Sequence, residues 1–140
     1  MNDRIVFLCP HGAAKSIMAA AYCRALADEH NLQLEIIAAG TEPDIEISPA
    51  VIEFLRAGKL VLLEKQPRRV TQADLQNASH IISMGCNLES LLPAHRTASA
   101  EDWSDVPSPG QDLILCYHRI RFRVQTLIAP TQQTRQSHAR

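Results

Sequence analysis

Cys9, Lys15 and Ser16 stand in the stretch CPHGAAKS, directly after the apolar run IVFL and directly before the alanine-rich IMAAAYCRALADEH. A cysteine where a strand gives way to a helix, with a cation and a hydroxyl at the far end of a short loop, is an arrangement for holding an oxyanion against a nucleophile. The loop amides and the first turn of the helix offer unpaired N–H groups and the positive end of the helix dipole. The same field, with Lys15 folding back as a cation, stabilises a thiolate at Cys9, the form of cysteine that attacks. Ser16 either caps the helix or donates a hydrogen bond to the sulfur. Gly12, Ala13 and Ala14 leave room for close backbone approach, so Pro10, His11, Gly12, Ala13, Ala14, Lys15 and Ser16 are expected to cradle phosphate or a related oxyanion.

The other chemistry-bearing residues are less directive. The sequence has four cysteines, Cys9, Cys23, Cys86 and Cys116, without the spacing of a zinc site or a disulfide framework, so reduced thiols are expected. Cys23 and Cys116 fall within helical patterns and read as small buried hydrophobes. His11 reads as a structural hydrogen-bonder, a proton-transfer group or an oxyanion donor at the pocket rim. His30, His80, His95 and His118 share no spacing, and no metal or other cofactor is expected.

These groups need a frame, and the chain alternates strand-like with helix-like segments. Arg4 to Leu8 suits a strand buried on both faces, and Ser16 to about His30 suits a helix. Leu34 to Ala39 reads as a second strand ending at Gly40. Ser48-Pro49 is an N-cap and first-turn proline opening a helix to about Ala57. Thr71 to Asp74 has the form of a capping box, His80 to Met84 is a further strand, and Gln111 to about Ile128 is a final helix. This order predicts an α/β three-layer sandwich, a four-stranded parallel sheet with helices on both faces. One domain over 1–129 and a polar, disordered tail over 130–140 complete the expectation. Ligands of such sheets sit beyond the carboxyl ends of the strands, where Cys9 and Cys86 both fall, in loops that can converge on one crevice.

Composition narrows the partners. The net charge is −1 and the pI about 6.6, which argues against nucleic acid or an anionic membrane as a partner. Arg119, Arg121 and Arg123 make the last helix locally basic and read as a solvated face. MNDRIVFLC lacks the basic leader of a signal peptide, and no run approaches the ~20 apolar residues of a membrane span. A soluble, cytoplasmic protein is expected.

The stretch from Cys9 to Ser16 resembles the active-site loop of the low-molecular-weight protein tyrosine phosphatases and the related thioredoxin-coupled arsenate reductases, whose signature is Cys-x5-Arg-Ser. The resemblance extends through AAGTEPDIEISP, like the family's SAGT-type turn, through PRRVTQADLQNASHIISMGC, and into DWSDVPSPGQD, like its acid loop. It implies the phosphotyrosine phosphatase I-like fold, with Cys9 as nucleophile. Lys15 stands for the family arginine, a point charge in place of a planar fork. Gly12 replaces the asparagine that braces the loop, and His11 replaces a glycine. Ser108 falls where the general-acid aspartate belongs, and a serine hydroxyl does not protonate a phenolate usefully at pH 7. Asp105 is the substitute acid within reach.

Trp103 reads as packing beneath this loop or as a substrate platform. Cys86 matches a cysteine of the reductases, so it is either a core residue or a redox partner of Cys9, although their further relay cysteine has no counterpart in CNLESLLP. Three readings follow. A phosphatase would act on a phosphorylated protein or small aryl phosphate through a phosphocysteine, with weakened turnover. A reductase would use Cys9 with Cys86 or an external thiol, and a binding module would hold an oxyanion without turnover.

Overall fold

The apolar run at the N-terminus becomes the central strand of the sheet. In the computed structural model, which describes residues 3–92 and 99–138 with side chains as far as residue 129, strand β1 spans Asp3–Cys9 and is buried from Ile5 onward. It leads into helix α1 (Lys15–Glu29), strand β2 (Leu34–Gly40), helix α2 (Pro49–Ala57), the short helix α3 (Gln72–Gln76) and strand β3 (His80–Ser83). Helix α4 (Leu88–Leu91), strand β4 (Ser99–Asp102) and helix α5 (Leu113–His138) complete the chain. The strands lie in the order β2-β1-β3-β4 and every pairing is parallel.

Alternation along β1 divides the core. Ile5, Phe7 and Cys9 pack on the face covered by α1, α2 and α5, while Val6 and Leu8 meet Leu75, Ala78 and Ile81 on the face of α3 and α4. The expected three-layer sandwich around a four-stranded parallel sheet is therefore the fold. Strand order reverses at β1, whose neighbours β2 and β3 lie on opposite sides, so the crevice beyond the ends of β1 and β3 is the site that topology opens.

Local signals acted as read at two helix starts. Ser48 Oγ accepts from Val51 N–H with Pro49 in the first turn, and Thr71 and Asp74 form the reciprocal capping box. Strand β4, Ser99–Asp102 (SAED), is polar and largely exposed at the sheet edge, so it carries no hydrophobic signal. Helix α4 is a single turn and equally silent. Helix α5 runs past the expected end at Ile128 to His138, so residues 130–138 of the anticipated tail are helical. Gln and Arg in that stretch are good helix formers. On the basic face of α5, Arg119 and Arg121 are exposed as expected of a solvated face, while Arg123 is half-buried; Arg121 lies over the Tyr22 ring and Arg123 over Trp103, each 5.7 Å from the centroid. His95 lies outside the described residues.

A connection between β2 and α3 fixes the end of β2. Gly40 N–H donates to Arg68 O at 2.9 Å, and Val70 N–H donates to Gly40 O at 3.0 Å. Arg68 is in turn held by both carboxylate oxygens of Asp74, at 2.8 and 2.6 Å. Burial pushes the Asp74 carboxyl up, but hydrogen bonds from Arg68 and Thr71 outweigh it and hold the group below its ordinary value. A depressed carboxylate stabilises the fold above its unfolded pKa of about 3.9 and loses that contribution as pH falls through the lower folded value. Asp74→Asn is therefore expected to cost about 1–2 kcal/mol at pH 7. Urea unfolding at pH 7 and pH 3 checks this, and the gap between variant and parent should narrow at the acid pH.

Candidate active site

The segment from Cys9 to Ser16 wraps around the start of α1 without any side-chain cap: Ala14 occupies the cap position and makes no side-chain bond. The first-turn amides are thus left for another acceptor. Cys9 sits at the base of the loop, 5% exposed. Its thiol donates to Ser16 Oγ at 3.2 Å and its sulfur accepts from Ser16 N–H at 3.4 Å. Ser16, fully buried, is thereby a sulfur ligand and not a helix cap.

A second loop, between β2 and α2, holds the first one in shape. Glu42 N–H donates to Pro10 O at 2.7 Å, Asp44 N–H to His11 O at 3.0 Å and Ser48 N–H to Ala13 O at 3.0 Å, while Gly12 N–H donates to Cys9 O at 3.3 Å. Four carbonyls that would repel an anion are so engaged elsewhere. Among the described residues, the amides of His11, Ala13, Ala14 and Lys15 have no backbone acceptor. Gly12 has φ +61°, a left-handed conformation suited to glycine. Gly40 is required for a different reason: a Cβ there would lie 2.6 Å from Gly12 N and 2.9 Å from Pro10 O. The sequence marked Gly40 as the end of a strand but gave no hint that the loop rests on it.

The cavity above Cys9 has a volume of about 540 Å³ and is lined by Pro10, His11, Ala13, Ala14 and Lys15 from the loop, by Asp44, Glu46, Ser48 and Pro49, by Met84 and Gly85, and by Ser108 and Pro109. Of the expected cradle, Gly12 and Ser16 do not line this cavity, Gly12 resting against Gly40 and Ser16 lying buried against Cys9; the lining instead adds wall residues that sequence reasoning missed, notably Asp44 and Glu46. Lys15 Nζ donates to Val106 O at 3.1 Å, joining the cradle to the 105–112 loop. His11 Nδ1 stands 3.2 Å from Asp44 Oδ1, both side chains being more than half exposed.

Two candidates stand apart from the cavity. Asp105 is not in its lining, and its Oδ2 accepts from the Arg123 guanidinium. Ser108, its neighbour in the acid loop, does line the cavity. Cys86 is outside the lining too; its sulfur lies 3.9 Å from Thr41 Oγ1, and its N–H donates to Ser83 Oγ. Burial pushes its thiol up, more than the Thr41 and Ser83 bonds lower it, with the nearby Cys9 raising it further. Cys23 and Cys116 are buried core residues whose thiols burial pushes up to about 12 and about 11. Trp103 is 2% exposed and packs on Phe7, with ring centroids 6.1 Å apart, so it supports the 105–112 loop from beneath. No three His, Cys, Asp or Glu side chains come together as a metal site among the described residues.

Comparison with known proteins agrees with this construction. A putative arsenate reductase of Halobacterium salinarum is 27% identical over 109 residues, which is 76% of this chain and 75% of that protein. Among solved structures, a thioredoxin-dependent arsenate reductase of Corynebacterium glutamicum superposes with a TM-score of 0.80 at 22% identity over 95% of this chain, which spans 63% of that protein's length. The low-molecular-weight protein tyrosine phosphatase SP-PTP of Streptococcus pyogenes superposes with a TM-score of 0.76 at 17% identity, over 91% of this chain and 92% of its own. Reductases and phosphatases thus share this fold. Residues 4–127 match the family described as low molecular weight phosphotyrosine protein phosphatase, and the chain belongs to that family.

Proposed function

We propose that this protein is a phosphatase that hydrolyses phosphate monoesters through a phosphocysteine at Cys9. The observation that carries the reading is the buried Cys9 thiol, bonded by Ser16, at the base of a cavity whose loop carbonyls are tied to the 41–48 loop. The thiolate attacks phosphorus while the free loop amides and Lys15 hold the equatorial oxygens, and Ser16 steadies the sulfur as it becomes the leaving group of the second step. Lys15 contributes a point charge where the family arginine would give a fork, so slow turnover is part of the proposal. Substrates are a phosphorylated protein or a small aryl phosphate. The four free thiols fit a reducing, cytoplasmic setting.

The position of Cys86 supports a second reading, reduction of arsenate. Cys86 follows β3, the neighbour of β1 in the sheet, and is close enough to Cys9 to feel its charge. Cys9 would attack arsenate, and Cys86 or an external thiol would then attack the Cys9 sulfur, forming a disulfide as arsenic leaves as arsenite. Phosphate monoester hydrolysis ranks first because Cys86 lies outside the cavity.

Steady-state turnover of para-nitrophenyl phosphate, and of arsenate with added thiol, separates the readings. Phosphate release is expected to vanish in Cys9→Ser and persist in Cys86→Ser; arsenate reduction that needs Cys86 would reverse the ranking. Iodoacetamide should modify Cys9 before the other cysteines of the native protein, inorganic phosphate should slow the reaction, and Cys23 and Cys116 should remain unmodified. Gly40→Ala keeps every reacting side chain yet drives a methyl into the cradle. It is expected to abolish the rise in Tm that millimolar phosphate or vanadate gives the parent by mass action, measured by thermal unfolding with and without the anion.

A further inference from the structure

Hydrolysis of an aryl phosphate needs a proton for the departing oxygen, and the acid loop offers none where it meets the cavity. Ser108 is the loop's lining residue and is not an acid at neutral pH. Asp105 lies outside the lining with its carboxylate held by Arg123. The opposite wall is different. His11, two residues after the nucleophile, lines the cavity and has its Nδ1 3.2 Å from Asp44 Oδ1. Asp44 is itself fixed, because its backbone N–H donates to His11 O at 3.0 Å. The two residues are thus joined once through the backbone and once through the side chains, and the carboxylate orients the ring by accepting from its Nδ1.

We propose that His11 is the general acid and base of this site, with Asp44 as its positioning residue; this rests on the phosphatase reading above. In the first step Cys9 sulfur forms a bond to phosphorus, the bond from phosphorus to the ester oxygen breaks, and imidazolium Nε2–H delivers its proton to that oxygen. Nδ1–H stays with Asp44. In the second step the neutral imidazole takes a proton from water as its oxygen bonds to phosphorus. The sulfur–phosphorus bond breaks, Cys9 returns as thiolate, and His11 is again imidazolium. Atoms and protons balance with no co-reactant other than water. The charged and titratable groups that line the cavity with His11 are Cys9 and Lys15 from its own loop and Asp44 and Glu46 from the 41–48 loop. Segments 84–85 and 108–109 bring none.

This assignment separates the site from one that relies on its acid loop. The proton comes from the nucleophile's own loop, and its loss matters only where the leaving group needs protonation. The experiment is kcat/KM across aryl phosphates from para-nitrophenyl phosphate, a good leaving group, to phenyl phosphate, a poor one, in the parent, His11→Ala, His11→Gln, Asp44→Asn, Glu46→Gln and Asp105→Asn. Both His11 variants are expected to lose about a hundredfold on phenyl phosphate and much less on para-nitrophenyl phosphate. They should also lose the alkaline limb of the parent's pH profile, while phosphate still raises their Tm because the backbone cradle is intact. Asp44→Asn should show a smaller loss of the same kind and a shifted limb. If Cys9-dependent hydrolysis is present and the His11 variants keep the parent's leaving-group dependence, or if Asp105→Asn or Glu46→Gln steepens it in their place, the assignment of His11 is wrong while the phosphatase reading stands. If the parent hydrolyses no ester, or Cys9→Ser is as active as the parent, both fall together.

Discussion

The close approach of Gly12 to Gly40 is the constraint on which the site depends. A Cβ on Gly40 would lie 2.6 Å from Gly12 N, and a Cβ on Gly12 would lie 3.0 Å from Gly40 N. Because neither exists, the end of β2 lies flat against the oxyanion loop, and the chain that follows pairs with it through the amides of Glu42, Asp44 and Ser48. The pairing engages carbonyl oxygens of the loop and leaves amides free, the arrangement by which a neutral backbone can receive an anion. Gly40 is in turn fixed by Arg68 and Val70, and Arg68 by Asp74. A capping box on a five-residue helix is therefore linked through Arg68 and Gly40 to the Cys9–Ser16 loop.

The sheet supplies the second constraint. β1 is buried on both faces and its last residue is Cys9, the nucleophile of the proposed reaction. Burial alone makes an ionised thiol costly, and at Cys9 the Ser16 amide donates to the sulfur while the Ser16 hydroxyl lies within hydrogen-bond distance of it. Cys23 and Cys116 lack these donors, and their thiols are pushed well above the ordinary range. At similar depth the three thiols differ in whether N–H and O–H groups converge on the sulfur.

These relations explain what was legible beforehand. The three-layer fold could be read because β1, β2 and β3 are apolar runs and the helix starts at Ser48 and Thr71 use side chains that cap visibly. The edge strand Ser99–Asp102 and the extension of α5 could not, since SAED is polar and largely exposed and the sequence PTQQTRQSH carries no hydrophobic periodicity. The cradle from Cys9 to Ser16 was legible because its residues are contiguous. The walls were not: Asp44, Glu46 and Met84 are far away in sequence, and their relation to Cys9 exists only once β1, β2 and β3 lie side by side. Asp105 was placed by its distance from Ser108 along the chain, whereas its position is set by Arg123 on α5.

The departures from the family pattern gain coherence in this light. Damage accumulating in an idle pocket would leave altered side chains without partners. Here Gly12 is matched to Gly40, His11 to Asp44, and Lys15 to the carbonyl of Val106. Each partner lies outside the oxyanion loop, in the β2–α2 or acid-loop segment that forms the opposite wall of the cavity. Lysine fits this arrangement better than arginine would, because a single ammonium donates to one carbonyl and still presents its charge to the cavity, whereas a guanidinium needs two coplanar acceptors to use its fork. The cation then joins the cradle to the acid loop, and under the proposed mechanism the amides would carry anion recognition while proton delivery would pass to the wall where a histidine faces a carboxylate.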